Sequence, residues 1–311
     1  MKLVLKVLLL MLVLALGAAT WMFWPVRLAV AELAADIALP SANPPAGLEL
    51  YALPTGAMHS QAMFAYRGGP VGEPRDFAMT AYLVRHPRGD LLIDTGFGSQ
   101  VDQQFKTLPL LMRTTSSYTT GKTAAEQLIS AGIDPTSLAG VLLTHAHWDH
   151  VSGLPDLLGV PVALSAAEAQ FVASDLEMAA LAHSMTDLDF EPFEYADVPY
   201  LGYPRSFDYW GDGSVVIVPA GGHTPGSAIV FVALPDGQRY VFVGDIVWQF
   251  EALVLPAERP WLSRNLVDLD AAEVREQVSY LAALKEKFPE LIMVPAHDAR
   301  PAASIPILSD R

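Results

Sequence analysis

The stretch Gly140-Val141-Leu142-Leu143-Thr144-His145-Ala146-His147-Trp148-Asp149-His150 decides how this chain is read. Its first four residues are an apolar run, which predicts a buried strand. Three histidines and an aspartate then fall within six residues. Imidazole and carboxylate together are a donor set for Zn2+ or a similar borderline transition metal. Packing alone gives no reason for such crowding. His145 and His147 are two residues apart, so in extended backbone they point the same way. Asp149 and His150 are adjacent and cannot both aim where that pair aims. The spacing therefore predicts one metal on His145 and His147 and a second on Asp149 and His150. Each ion needs further ligands from elsewhere.

Three other positions offer them. His223 lies in Gly221-Gly222-His223-Thr224-Pro225-Gly226, after the apolar run Val215 to Val218. Asp245 follows Tyr240-Val241-Phe242-Val243-Gly244, and His297 follows Leu291 to Val294 through Pro295-Ala296. Each stands at the end of a predicted strand, where loops gather side chains on a rigid frame.

In this order, HxHxDH, GHTPG, GD and AH resemble the metallo-β-lactamase-fold superfamily of metal-dependent hydrolases, over about residues 48 to 300. The resemblance implies an α/β fold, an αββα sandwich with two divalent metals, most often zinc, in a cleft at one edge. It implies that His145, His147 and His223 hold the first ion and that Asp149, His150 and His297 hold the second. Asp245 would bridge them, and Asp149 or Asp245 would orient the water or move a proton. Asp94, in Ile93-Asp94-Thr95-Gly96, matches the family's early strand-end aspartate, a support behind the ligands. A turn-starting Asp accounts for the same residues. Two close divalent ions lower the pKa of a shared water far enough to supply hydroxide near neutral pH. No separate nucleophile is then needed, and the chain contains no G-x-S-x-G elbow.

Departures from the pattern narrow the branch. With no cysteine, the thiolate ligand of the commonest class B β-lactamases is excluded, and Gly244-Asp245 supplies the bridge that their other types typically lack. His147 stands where flavodiiron enzymes carry glutamate. Only 14 residues follow His297, too few for the helical extension of glyoxalase II-like enzymes. What remains resembles the quorum-quenching lactonases and the organophosphate-hydrolysing relatives. Trp148 and the added segment between Leu48 and Ala81 are similar to lactonases. Many lactonases place a tyrosine three residues after the bridging aspartate, whereas this chain has Trp248. An indole donates a hydrogen bond but cannot act as an acid. Trp248 and Phe250 are expected to floor a pocket for acyl or aryl groups; core packing is the other role open to Trp248. The expected substrate is a small neutral ester or lactone. The alternatives are a phosphodiesterase or phosphotriesterase on the same ions, or a sensor that binds metal without turnover.

Composition bounds partner and place. The 311 residues carry a formal net charge of −15 and no lysine–arginine cluster, which disfavours nucleic acid. Lys2 and Lys6 precede the uncharged stretch Val7 to Val26, whose length matches the ~20 apolar residues of a membrane span. Trp21 and Trp24 suit the interface. A cleaved signal peptide fits the same stretch, with small-residue sites at Gly17-Ala18-Ala19 and Ala29-Val30-Ala31. Residues 1–26 are thus expected to export the chain, as an anchor or a leader, to the periplasmic side. Residues 27–47, rich in proline, read as a linker, and 48–311 as the hydrolase domain.

Along that domain, 80–85 and 91–94 read as a hairpin with His86 solvated in the turn. Thr123 to Glu126 and Ser165 to Glu168 both read as capping boxes. The second is expected to open a helix to about His183, with Met178 and Leu181 facing the core. Residues 98–118 read as a flap or as a helix-loop packed on the sheet. The aromatic-rich 190–210 reads as a pocket wall, with the Tyr195 and Tyr209 phenols available to an oxyanion, or as the cover of a second small core.

Overall fold

The computed structural model describes residues 1–309. Its strands are β1 (Glu49–Gln61), β2 (Pro74–Arg85), β3 (Leu91–Ile93), β4 (Ser117–Thr120), β5 (Gly140–Leu142), β6 (Val162–Ser165), β7 (Phe190–Phe193), β8 (Phe207–Asp208), β9 (Val215–Pro219), β10 (Ala228–Ala233), β11 (Arg239–Phe242) and β12 (Leu291–Val294). They form a seven-stranded sheet ordered β4-β1-β2-β3-β5-β6-β7 and a five-stranded sheet ordered β12-β11-β10-β9-β8. Leu91, Ile93 and Leu142 of the first sheet meet Ile217, Val230, Val232 and Phe242 of the second in one buried cluster. Because strand side chains alternate, the other faces are apolar too. Leu83, Val141 and Leu164 pack under the short helices Ala124–Ser130 and Ala166–Val172. Val218, Ile229 and Val241 pack under the helix Ala271–Lys287. Two sheets with helices on both outer faces make the expected αββα sandwich.

The long helix illustrates how sequence sets these layers. Asp270 caps it, accepting from the Ala272 and Glu273 amides at 2.8 and 3.1 Å. Val274, Val278, Leu281 and Leu284 repeat at helical spacing and are all buried. Pro289 follows its last turn. Each such side chain contributes roughly 1.5–3 kcal/mol by burial, and Leu281→Ala would cost about 2–5 kcal/mol.

Several local expectations are corrected. Leu48 to Leu53 reads in sequence as the first strand and Gln61 to Asp76 as a loop, but β1 runs on to Gln61 through an irregularity between Pro54 and Gly56 and β2 starts at Pro74, with only the turn of helix Ala62–Ala65 and a short loop between. His86 is buried, stacked on Trp210 at 4.0 Å with Nε2 3.0 Å from an Asp212 carboxylate oxygen, rather than solvated. The helix opened by Ser165 ends at Val172, and only a short turn of helix, Ala180–His183, follows. Ser165 caps it, but the Glu168 carboxylate does not return to complete a capping box.

The N-terminal helix Lys2–Phe23 has no buried residue. Residues 24–47 contain no helix or strand, as their prolines predict, yet they are tied to the sandwich. Leu28 N–H donates to Pro256 O at 2.8 Å and Asn43 N–H to Asp212 O at 2.8 Å. Leu28, Leu33, Ile37 and Leu39 pack against the core below the long helix.

Candidate metal centre

Five strands deliver their ends to one edge of the sandwich. Asp94 follows β3, His145 follows β5, His223 follows β9, Asp245 follows β11 and His297 follows β12. His147 caps a single helical turn, Trp148–Val151, which carries Asp149 and His150. Seven side chains from four loops thereby converge. His145, His147 and His223 form one set, His145, His150 and Asp245 a second, and Asp149, His150 and His297 a third, each with donor atoms within 4.8 Å of one another. Six of the seven are buried, and Asp149 is half-buried.

Partners behind the imidazoles fix how they point. His150 Nδ1 is 2.8 Å from Asp94 Oδ2, and Asp94 also accepts from the Thr144 amide and hydroxyl, both at 2.8 Å. Asp94 reaches this position with φ +52°, a conformation Asp tolerates better than most residues. His223 Nδ1 is 2.8 Å from Asp268 Oδ1, which also accepts from Arg259 at 2.9 Å. His297 Nδ1 is 3.1 Å from Ala78 O. Such contacts select the tautomer and leave the other nitrogen facing the centre. His147 is turned the other way, with Nδ1 2.8 Å from His223 Nε2.

The charge balance is unusual for a buried site. Burial, then the neighbouring imidazoles, holds His145 and His147 well below the ordinary histidine value, so both are neutral donors of lone pairs. Burial also opposes charge on His150 and His297, but Asp94 and Asp245 raise His150 well above that value, and Asp245 with Asp149 raises His297. Burial would raise Asp245, yet His297 and His150 hold it well below the carboxylate range. The Nε2 atoms of His145, His147 and His150, and Asp245 Oδ1, are buried without a hydrogen-bond partner. Unpaired buried polar atoms cost about 1–3 kcal/mol each. A nitrogen and oxygen donor set of this kind, orphaned in a buried site, fits divalent cations.

The cluster forms the floor of a cavity of about 760 Å3. Its walls are mainly apolar, including Met58, Phe77, Leu111, Met112, Leu181 and Leu266. Among the described residues, no lysine or arginine lines it. Residues 107–116 supply one wall through the helix Leu110–Thr115, so this segment borders the cavity. Met178 and Leu181 pack against the outer core cluster, as expected, and also line the cavity. Trp248 also lines it, with Nε1 donating to Asp245 Oδ2 at 2.6 Å.

Three residues expected at the pocket lie elsewhere. Phe250 turns into the packing beside the long helix, with Lys285 Nζ 5.1 Å from its ring. Tyr195 packs edge-on against Phe193 at 5.4 Å, and Tyr209 against Trp210 at 4.9 Å, at the rim of the inter-sheet core. Phe193, Tyr195, Phe207, Tyr209 and Trp210 pack on one another there, while Tyr200 and Tyr203 pack against Phe231 and Tyr280 under the long helix, so these rings cover core, which is the second-core alternative. Conversely, Glu168 and Asp268 escaped the sequence reading. The buried Glu168 carboxylate accepts from Ala146 N at 2.6 Å, Thr224 Oγ1 at 2.7 Å and Gly226 N at 3.0 Å. It ties the His145–His147 loop to the His223 loop. A Cβ at Gly226 would lie 2.1 Å from Glu168 N, so only glycine allows this approach. In sequence, Glu168 and Asp268 look like ordinary residues near helix starts; no local signal marks them.

Comparison with known proteins agrees with this arrangement. The family profile described as Metallo-beta-lactamase superfamily matches residues 75–297. A Mycobacterium tuberculosis protein named "Probable metallo-hydrolase" is 27% identical over 232 residues, 70% of this chain and 73% of that protein. A Thermus thermophilus ribonuclease is 35% identical over 133 residues, 40% of this chain but 30% of that protein. The solved structure of an N-acyl homoserine lactone hydrolase with its product N-hexanoyl-L-homoserine superposes with TM-score 0.67 at 16% identity, covering 83% of this chain and 96% of that one. That last likeness speaks for the fold. With most of the sandwich covered by the family profile, the chain belongs to the metallo-beta-lactamase superfamily of metal-dependent hydrolases.

Proposed function

We propose that this protein is a dinuclear metal hydrolase that opens a small neutral ester or lactone of the acyl-homoserine-lactone kind. In this reading His145, His147 and His223 would hold one ion, Asp149, His150 and His297 would hold the other, and Asp245 would serve both. The ions are zinc. Bound there, they supply an acidified water and a Lewis-acid contact for the substrate's carbonyl oxygen.

The chain's own groups do the rest. Trp248 Nε1 fixes one oxygen of Asp245. Asp149, half-buried at the cavity floor with Oδ2 3.4 Å from His297 Nε2, is placed to accept a proton and return it to the leaving oxygen. Asp94 and Asp268 hold His150 and His223 in register. The apolar walls exclude water and take the acyl group.

One observation carries the choice of substrate: the cavity above the cluster is apolar and has no cationic side chain. Beyond the ions themselves, the rest of an anionic phosphodiester or a polynucleotide would meet no cationic side chain on these walls, whereas a neutral acyl chain is accommodated by them. The superposable lactone hydrolase supports the same reading. We also place residues 1–26 in the cytoplasmic membrane as an anchor, with 27–47 as the connection to a domain, 48–311, on the periplasmic side. The helix Lys2–Phe23, long and apolar enough to span, supports that placement.

The test is a set of initial rates for the zinc-loaded chain on acyl-homoserine lactones, aryl esters, an aryl phosphodiester and an aryl phosphotriester. Lactones should be turned over well above the others. A preference for either phosphoryl substrate would overturn the substrate assignment and leave the metal assignments in place.

A further inference from the structure

The membrane helix does not end in a free tether. Its last turn is clamped to the residues that wall the cavity. Arg67 donates to Trp21 O at 2.7 Å and Trp24 O at 3.0 Å, with its guanidinium 5.7 Å from the Trp21 ring centre. Gly68 N–H donates to Phe23 O at 3.2 Å. Gly68 has φ +91°, and a Cβ there would lie 3.0 Å from Pro25, so the approach requires glycine. Arg67 is itself held by Glu258, 3.0 Å away, in a buried ion pair. The Phe23 ring meets Phe64 edge-on at 5.9 Å, and Phe64 O accepts from Ser263 at 2.8 Å. Phe64 and Ser263 both line the cavity.

The span and the cavity wall therefore share one contact, about a helix diameter (~10 Å) across. The helix has 22 residues, about 33 Å at 1.5 Å per residue, which matches a hydrocarbon core of ~30 Å. Around the cavity the rim carries large apolar side chains that nothing covers: Leu110 is 67% exposed, Leu176 44% and Trp261 39%. Leu110 sits between the lining residues Pro109 and Leu111, Leu176 is itself a lining residue, and Trp261 precedes the lining residue Leu262. Single exposed apolar residues are ordinary; a set of them around an apolar cavity beside a membrane span marks an interaction surface.

We infer that the cavity mouth is seated on the outer leaflet of the bilayer, and that the substrate is a long-chain acylated lactone or ester drawn from the membrane rather than from solution. This rests on the hydrolase reading for the bond that is cleaved, but the seating of the mouth stands on the helix and rim alone. Lipid at the rim would cover Leu110, Leu176 and Trp261, and an acyl chain would pass from leaflet to cavity without crossing water. That spares the chain's methylenes exposure to water.

The chain has no cysteine, so single nitroxide labels can be placed cleanly. Leu110→Cys, Leu176→Cys and Asp236→Cys would be made in the full chain and reconstituted in phospholipid nanodiscs. Asp236 is exposed in the turn between β10 and β11, at the sheet edge opposite the metal centre. Electron paramagnetic resonance then reads access to membrane-soluble oxygen against a water-soluble nickel chelate. Labels at 110 and 176 should favour oxygen and the label at 236 the chelate. If all three favour the chelate, or if the chain is not retained in the discs, the inference is overturned. Hydrolysis of dodecanoyl-homoserine lactone by the unmodified chain in the same discs is a separate readout. Lipid-protected labels without hydrolysis would overturn the acyl-lactone substrate reading and leave the seating intact. Hydrolysis with water-exposed labels would do the reverse.

Discussion

Trp248 donates through Nε1 to Asp245 Oδ2 at 2.6 Å while its ring lies 4.6 Å under the Arg259 guanidinium, and Arg259 in turn holds Asp268 against His223. One side chain thus touches the central carboxylate directly and a histidine through two neighbours. A hydrogen bond to a charged group contributes about 1.5–3 kcal/mol. Trp248→Phe keeps the ring under Arg259 but removes the donor. It should lower kcat/KM by about ten- to a hundredfold, and steady-state kinetics on the preferred substrate would check this. An unchanged value would mean that the indole only fills space.

Glu168 should be a stability residue as much as a functional one. Glu168→Ala strands the buried amides of Ala146 and Gly226, at about 1–3 kcal/mol each, while the Thr224 hydroxyl keeps Ser227 Oγ at 2.7 Å, so urea unfolding should report a loss of at least ~2 kcal/mol. Glu168→Gln, which keeps an acceptor oxygen, should lose less and retain more bound metal.

Asp268→Ala and Asp94→Ala remove the groups that orient His223 and His150. Each should weaken metal binding by about ten- to a hundredfold, read by competition with a chromophoric chelator. Removal of metal by a chelator should abolish turnover, and added zinc should restore it.

Acid stability has a specific contributor far from the metals. Hydrogen bonds from Arg300, with further help from Arg75, outweigh partial burial and hold the Glu251 carboxyl down at about 2, against 4.5 ordinarily. A carboxyl depressed in the folded state stabilises fully above its unfolded pKa and loses that contribution as pH falls toward its folded one. Glu251→Gln should therefore lower the melting temperature modestly at neutral pH, because the pair is partly solvated, and the gap to wild type should close as pH falls from about 4.5 to 2, flattening the variant's acid decline. Thermal scans across that range would check it.

What was legible in the sequence was whatever chain-local chemistry determines. Apolar runs marked β5, β9, β11 and β12, and the polar residue just past each one arrives at the common edge because those strands end there. The helix Ala271–Lys287 carries its period in the sequence, with Val274, Val278, Leu281 and Leu284 on its buried face. What was not legible depends on tertiary proximity. Glu168 looked like half of a capping box, and only the fold brings it to Ala146 and Gly226. Phe250 and Trp248 are two residues apart, yet the short helical turns after Asp245 aim only Trp248 at the cavity. The rings of 190–210 could serve a pocket or a core equally well by composition; β7, β8 and their flanks place Phe193, Tyr195, Phe207, Tyr209 and Trp210 at the inter-sheet seam, and Tyr200 and Tyr203 fall under the long helix.

The account rests on seven side chains holding two ions. The most direct test is the metal content of the purified full chain after zinc loading and dialysis, measured by inductively coupled plasma mass spectrometry beside the His297→Ala and His223→Ala variants. The account predicts about two equivalents per wild-type chain and about one in each variant, with the fold retained by circular dichroism. A folded wild-type chain that keeps fewer than one equivalent, or variants that keep as much as wild type, would contradict it.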